Sequence, residues 1–357
     1  MNIAGIGIIS TRGRGLPCFE ETLKLGWMPP SNKEVSSMSK GILPVYSVEQ
    51  KTIEDREVFK KVRRLDRFCK MAVLAAYDAL SDSGISIEED KAGIGIIVAT
   101  GFGPHATTFR FLEDILDHGD RFASPTLFSH SVHNAAASYI SSIINSHGPT
   151  ITMSQFIFSL HQALILAEAW IREKRCKYVL VGSIDECGDT MEYIFSRKIS
   201  IADDGKIKPF QFSEKSISVP GEGSVFFLVT DEDTPKKYCK VSNVRVNGKD
   251  VQVTKPDVYI FDTDGIIGDE TVYKNIADPS AKITGYSPLF GSIMSGTGFS
   301  CAAGAVMLKN QMYYACPVQD NPHSVNICAS TEKADIKEIQ CIRFDCVQEK
   351  AVIKLTL

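Results

Sequence analysis

A layered α/β fold follows from three features of the chain. Continuous apolar runs of strand length recur, such as Gly93-Ile94-Gly95-Ile96-Ile97-Val98-Ala99-Thr100 and Lys177-Tyr178-Val179-Leu180-Val181-Gly182-Ser183. Segments with helical apolar spacing separate them, which is the alternation that builds stacked layers of sheet and helix. That pattern restarts beyond about residue 236, so two related halves are expected, 1–235 and 236–357. With 357 residues, 44% of them hydrophobic and 23% charged, the chain has ample material for one large core.

The elements follow in order. Met1 to Ile9 is apolar but lacks a basic n-region and a small-residue cleavage site, so it reads as the first core strand and not as a signal peptide. A loop rich in Pro, Ser and Lys (Pro29 to Lys40) and a polar stretch lead to a basic knot, Lys60-Lys61-Val62-Arg63-Arg64-Leu65-Asp66-Arg67. Phe68, Met71, Ala72, Leu74, Ala75 and Leu80 then give a helical period from about Leu65 to Ser83, and Gly84 ends it. After the strand at 93–100 come helices near 106–117 and 132–146. Gly148 to Leu164 reads as a short strand, a sharp turn and the start of a helix reaching Lys174. The strand at 177–183 and a glycine turn, Gly221-Glu222-Gly223, feeding a strand to Val229 complete this stretch. Further strands are expected at 239–247, 257–262, 323–328, 338–344 and 351–357, with helices near 270–277 and 299–313.

Bulk properties exclude several classes. A net charge of −4 gives no basic field with which to displace counterions from nucleic acid. The ten cysteines form no CxxC pair and no metal-type spacing, so free thiols in a reducing cytoplasm are expected, with no metal and no cofactor. No apolar run approaches the roughly 20 residues that span a bilayer.

Several segments, in the right order, resemble the β-ketoacyl-synthase branch of the thiolase superfamily. Arg63-Arg64-Leu65-Asp66-Arg67-Phe68 resembles its R-R-M-D-R-F helix entry, and Gly148-Pro149 its G-P before the nucleophile strand. Pro209-Phe210 with Val219-Pro220-Gly221-Glu222-Gly223-Ser224 resembles P-F-D…V-x-G-E-G-A. Gly296 to Val306 resembles T-G-H-x-x-G-A-A-G-A-V. Ser129-His130-Ser131-Val132-His133-Asn134 further resembles ketosynthase-like proteins of small-molecule polyene pathways. The resemblance implies a thiolase-like five-layered α-β-α-β-α fold made of two related halves.

It also implies a chemistry that the residues do not support. Decarboxylative condensation in this family uses a cysteine at a helix N-terminus, two histidines from the C-terminal half and a lysine that orients the second. Anchoring on Ala163-Leu164 puts Ile157 at the cysteine; anchoring on Ser159-Leu160-His161 puts Phe156 there. Anchoring on Gly268-Asp269 puts Phe261 at the first histidine, and Ala302-Ala303-Gly304 puts Gly298 at the second and Ile293 at the lysine. Only His323 follows His161, and it lies outside both motifs. The family's G-F-G-G loop falls near Phe344 to Glu349, where its glycines are missing.

The function this implies is a non-catalytic subunit, similar to a chain-length factor, that pairs with an active β-ketoacyl-ACP synthase in fatty-acid, polyketide or polyene biosynthesis. Phe156, Ile157 and Phe158, with His130 and His133, are then expected at an acyl pocket or subunit interface. Lys61, Arg63 and Arg64 are candidates to dock the acidic acyl carrier protein, and Arg67 to pair with an internal carboxylate. One alternative is an acyltransferase or thioesterase on the same scaffold using Cys301 or Ser154 as nucleophile; Cys301 also reads as a buried thiol and Ser159 as a cap. Another is a homodimeric protein that binds acyl chains or the carrier protein. Asp262 and Asp264 read as a cation site, a general base, or turn and cap residues, the last being the commoner role.

Overall fold

The structure, a computed structural model, describes residues 1–34, 41–62, 64–85, 93–234, 237–247, 255–276 and 278–357. To residue 230 the elements are β1 (Asn2–Ser10), β2 (Gly13–Arg14), α1 (Leu16–Leu25), β3 (Ser31–Glu34), β4 (Ile42–Val45), α2 (Arg67–Ser83), β5 (Ile94–Thr100) and α3 (His105–His118), then α4 (Pro125–Ser131), α5 (Ala135–Ile144), β6 (Thr150–Ser154), α6 (Ser159–Arg172), β7 (Tyr178–Asp185), α7 (Asp189–Lys198) and β8 (Gly223–Thr230). There follow β9 (Cys239–Asn247), β10 (Val258–Phe261), β11 (Lys282–Thr284), α8 (Thr297–Asn310), β12 (Met312–Tyr313), β13 (Glu332–Lys333), β14 (Glu338–Phe344) and β15 (Lys350–Thr356).

The main sheet runs β11-β10-β14-β15-β9-β1-β8-β7-β5-β6, with β2 on β1. Its two sides meet where Asn2 pairs with Lys240 and Ile3 with Cys239. Outward from that seam, each side repeats one pattern of pairings: antiparallel, antiparallel, parallel, parallel.

Helices α6 and α8 lie between the two sides. Leu160, Ala163 and Leu164 of α6 and Ala302, Val306 and Leu308 of α8 share one buried cluster with Val179 and Val225 from one side and with Ile260, Ile339 and Ile353 from the other. On the far face of the first side, α2 and α5 form a second cluster. Asp66 caps α2 by accepting the Cys69 amide at 2.8 Å, and Gly84 ends it at φ 67°. Two glycines let α2 press onto β1. A Cβ on Gly5 or Gly7 would lie 2.0 Å from the Ala79 or Ala75 carbonyl oxygen.

The last layer departs from a helix. The stretch expected as a helix near 270–277 is a 3-10 segment, Thr271–Ile276, and residue 277 lies outside the described residues. It packs with Phe210, Phe212 and Phe261 into an aromatic layer over the second side. Asp269 takes the Thr271 amide and hydroxyl at its start, and Asp278-Pro279 follows, so the segment stops after about two 3-10 turns. The strand expected at 323–328 is reduced to one bridge, Ile283–Ile327. Asn321 binds both backbone groups of Val325, and Ser324 sits at φ 52°, so the segment turns back on itself. Among the described residues no helix is long and apolar enough to cross a membrane.

Candidate functional site at the β6–α6 elbow

Between β6 and α6 the chain turns through Gln155, Phe156, Ile157 and Phe158. Phe156 stands at φ 47°, a left-handed backbone that an aromatic residue adopts only where its surroundings impose it, at a cost of about 1–3 kcal/mol. Ser159 locks the turn. Its Oγ accepts the Gln155 amide at 2.8 Å and lies 2.9 Å from the Thr100 carbonyl and 2.7 Å from that of Phe156. Buried Asp185 braces it further, accepting Thr100 Oγ1 and the Gly101 amide on one oxygen and both the amide and the hydroxyl of Ser295 on the other. That carboxylate ties the elbow to the loop before α8.

Phe156 is 61% exposed, edge-on to Phe102 at 5.7 Å. Ile157 and Phe158 are buried. Together they wall a cavity of about 520 Å³ whose opposite side is Ile266, Ile267 and Met294, closed by Gln155, Asp345, Cys346 and Glu349. The cavity lining contains no histidine, lysine or serine.

The other sequence candidates scatter. Cys301 is buried in the central core, hydrogen-bonded to Cys341. Ser154 donates its hydroxyl to the Gly101 carbonyl at 3.0 Å. Phe261 faces the outer aromatic layer, 5.2 Å from Tyr273, and not the cavity. Ile293 is in the central core. Gly298 has no room for a side chain: a Cβ there would lie 2.5 Å from Ser183 Oγ and 3.2 Å from Val225 Cβ. His130 and His133 do not face one another. His130 bonds the Tyr139 hydroxyl at 2.6 Å, while the His133 ring covers Gly103, next to Phe102. Arg64 is exposed at φ 64°, whereas Arg63 and the side chain of Lys61 lie outside the described residues. Among the described residues no group of three or more potential ligands could hold a metal.

Just past the end of β10 lies a buried ionic cluster whose arginine no motif singled out. Arg343, on β14 and 1% exposed, donates to Asp264 Oδ2 at 2.8 Å and to the Asp262 carbonyl at 2.9 Å. Asp262 also accepts the Thr297 and Ser300 hydroxyls at the start of α8. Burial pushes both aspartates up, and Arg343 pulls them back. His161, edge-on to Phe158 at 5.7 Å, is wholly buried with neither ring nitrogen bonded. Burial, and then the charge of Arg343, lower it to about 3, so it is a neutral ring near pH 7. Asp262 and Asp264 are thus partners of a buried arginine.

Arg67 takes its expected role, pairing with buried Glu222 through Nε at 3.1 Å and through Nη2. Beside them Glu186 accepts the Ala106 amide at 2.9 Å, and burial pushes its carboxyl up to about 8. Unfolded, that carboxyl ionises above about pH 4.3. Folded, it keeps its proton to about 8, so stability falls as pH rises through that window. Glu186→Gln keeps the acceptor and never ionises. It is expected to match the parent near pH 4 and to exceed it by roughly 4–5 kcal/mol near pH 8, read from urea unfolding at both values. A difference that stays constant with pH would remove the assignment.

With the geometry in place, the relatives can be compared. The model of the "Beta-ketoacyl synthase, N-terminal domain" matches residues 44–234. Nodulation protein E of Rhizobium sp. (strain N33) is 27% identical over 185 residues, 51% of this chain and 46% of that protein. The chain thus matches less than half the length of this curated relative. Among solved structures, the ishigamide ketosynthase/chain length factor superposes with a TM-score of 0.80 at 16% identity, covering 99% of this chain and 98% of that one. The ketosynthase of Xenorhabdus doucetiae in complex with its chain length factor gives 0.78 at 13% identity, covering 100% and 97%. At these identities the superpositions establish a shared fold, the thiolase-like one the motifs implied.

Proposed function

Because the chain belongs to the β-ketoacyl synthase family, we propose that it is a non-catalytic member, a subunit like a chain-length factor that pairs with an active ketosynthase. The observation that carries this reading is the elbow itself. The residue held at positive φ, where strand gives way to helix, is an aromatic hydrocarbon, and the cavity beside it has no histidine. Phe156 is then the residue in the cysteine's place. A cysteine put there would still lack both histidines, because Gly298 has no space for one and Phe261 points away.

Pairing is supported by the edge of the sheet. β6 has a neighbour on one side, β5, and carries exposed Ile151. Phe128, Val132 and Phe156 are exposed too. An open strand beside exposed apolar side chains is a template for a partner. The proposed partner is an intact ketosynthase, in a heterodimer whose joint pocket sets acyl chain length in fatty-acid, polyketide or polyene synthesis in the cytoplasm. For the carrier protein, a depression of about 330 Å³ floored by Phe59, Val62 and Leu65 sets Arg56, Arg64 and Lys70 against Glu54 and Asp55, and since Asp55 is already paired with Arg14 the balance favours an acidic helix. Residues 1–235 and 236–357 form the two halves of this subunit.

Co-expression with a candidate ketosynthase, followed by sizing and a malonyl-dependent condensation assay with carrier protein, tests the proposal. A stable 1:1 complex, active only when both chains are present, is the expected result. A homodimer that becomes acylated by itself would overturn it. In that case Cys346 is the thiol to examine, since it lines the cavity while Cys301 does not.

A further inference from the structure

The elbow cavity has a division of chemistry that the subunit reading leaves unexplained. Three of its walls are hydrocarbon: the elbow residues Phe156, Ile157 and Phe158, then Ile266 and Ile267, then Met294. The fourth is the Asp345–Glu349 turn, which brings two carboxylates and no basic group to the lining. Asp345 is fixed there. Its Oδ1 accepts the Val347 amide at 3.0 Å and the Glu349 amide at 2.7 Å, so its charge cannot swing away. Neither carboxylate has an ion-pair partner among the described residues. A ligand bearing a carboxylate or phosphate head would bring like charge against this wall, in a space where apolar walls weaken screening. An uncharged chain escapes that repulsion and gains the three apolar walls.

We propose that this cavity binds the uncharged apolar part of an acyl chain and rejects the same chain as a free acid, with Asp345 and Glu349 as the specificity-determining residues. The choice of an acyl ligand rests on the proposed family role; the charge selectivity rests on the cavity wall. A subunit built this way takes a growing chain whose carboxyl is masked in a thioester and excludes released acid.

Cys346 supplies the readout, because it is an exposed free thiol in the lining while every other cysteine except half-buried Cys18 is buried. The isolated chain is treated with N-ethylmaleimide near pH 7.5, with methyl decanoate or decanoate present below their aggregation limits, and labelling is followed by mass spectrometry. The ester is expected to slow labelling of Cys346 and not of Cys18. The acid is expected to need about tenfold more ligand for equal protection, the size of one like-charge contact in a partly dry site. Glu349→Gln, at an exposed position, narrows that gap, and so does added KCl.

Equal protection by ester and acid overturns the inference, as does protection by neither. A gap that survives both Glu349→Gln and salt removes the carboxylates from it. An active two-chain complex together with an unprotected Cys346 would sink this inference and leave the subunit role standing. Selective protection in a chain that never pairs would do the reverse.

Discussion

Arg343→Met is expected to destabilise the chain by about 3–5 kcal/mol, a large share of the roughly 5–15 kcal/mol that holds an ordinary domain. Methionine fills much of the same space but donates nothing. Asp264 loses its ionic partner, and the Asp262 carbonyl loses a donor. Both carboxyls are already raised by burial, so without the guanidinium they must take up protons. That requirement fixes the direction of the pH dependence. A carboxyl kept neutral in the fold but ionised in the unfolded chain costs more stability as pH rises, so the deficit of Arg343→Met grows above about pH 4 and shrinks below it. Asp264→Asn in the same chain is expected to recover part of the loss, because it removes the orphaned charge. Urea unfolding of parent, single and double variants near pH 5 and pH 7.5 reads all of this. A loss under about 1 kcal/mol at pH 7.5, or a double variant no better than the single, would show that the pair does not hold β14 to the segment after β10.

How much of this was legible follows from what each feature depends on. The apolar runs at 93–100 and 177–183 became β5 and β7 because a strand covered on both faces has to be apolar throughout, and the strand expected at 338–344 became β14 although it carries Glu338, Gln340 and Arg343. The stretch 239–247 became β9 with the same bounds. Helix α7 gave no such signal: its exposed positions and polar residues look like loop, and Met191, Glu192 and Phe195 are buried only because other chain segments cover them. α4, a short helix opened by Ser124 and Pro125, falls between the helices expected near 106–117 and 132–146 and was not anticipated. At the site, the elbow was legible because strand, turn and helix are contiguous in sequence. The choice between Phe156 and Ile157 was not, and the positive φ of Phe156 supports the first only within the proposed reading. Arg343 was missed because β14 already mixes polar with apolar residues, Glu338 and Gln340 among them, so its charge does not stand out, while its partners lie about eighty positions away just past β10. Glu186 was equally hidden, since its raised pKa is made by burial under α3 and not by any local pattern.

The second large effect concerns the open edge. Ile151→Asp is expected to weaken assembly with the proposed partner ketosynthase at least 100-fold, about 2.8 kcal/mol at 1.4 kcal/mol per tenfold. Ile151 is 40% exposed on the free edge strand, so a charge there would be buried without a partner once another subunit covers β6. The cost to the isolated chain is far smaller, about 1 kcal/mol for an aspartate in a strand. Ile42→Asp is the matched control. Ile42 is more exposed than Ile151 but lies on β4, which belongs to a separate two-stranded sheet paired with β3. If hydrophobic exposure alone drove association, both substitutions would weaken it. If the β6 edge is the joint, only Ile151→Asp separates the chains in sizing and abolishes condensation, while unfolding of the isolated variant stays close to the parent. A complex that survives Ile151→Asp with undiminished affinity would place the partner on another face, and Phe156 would then have to be explained as part of a cavity that this chain uses alone.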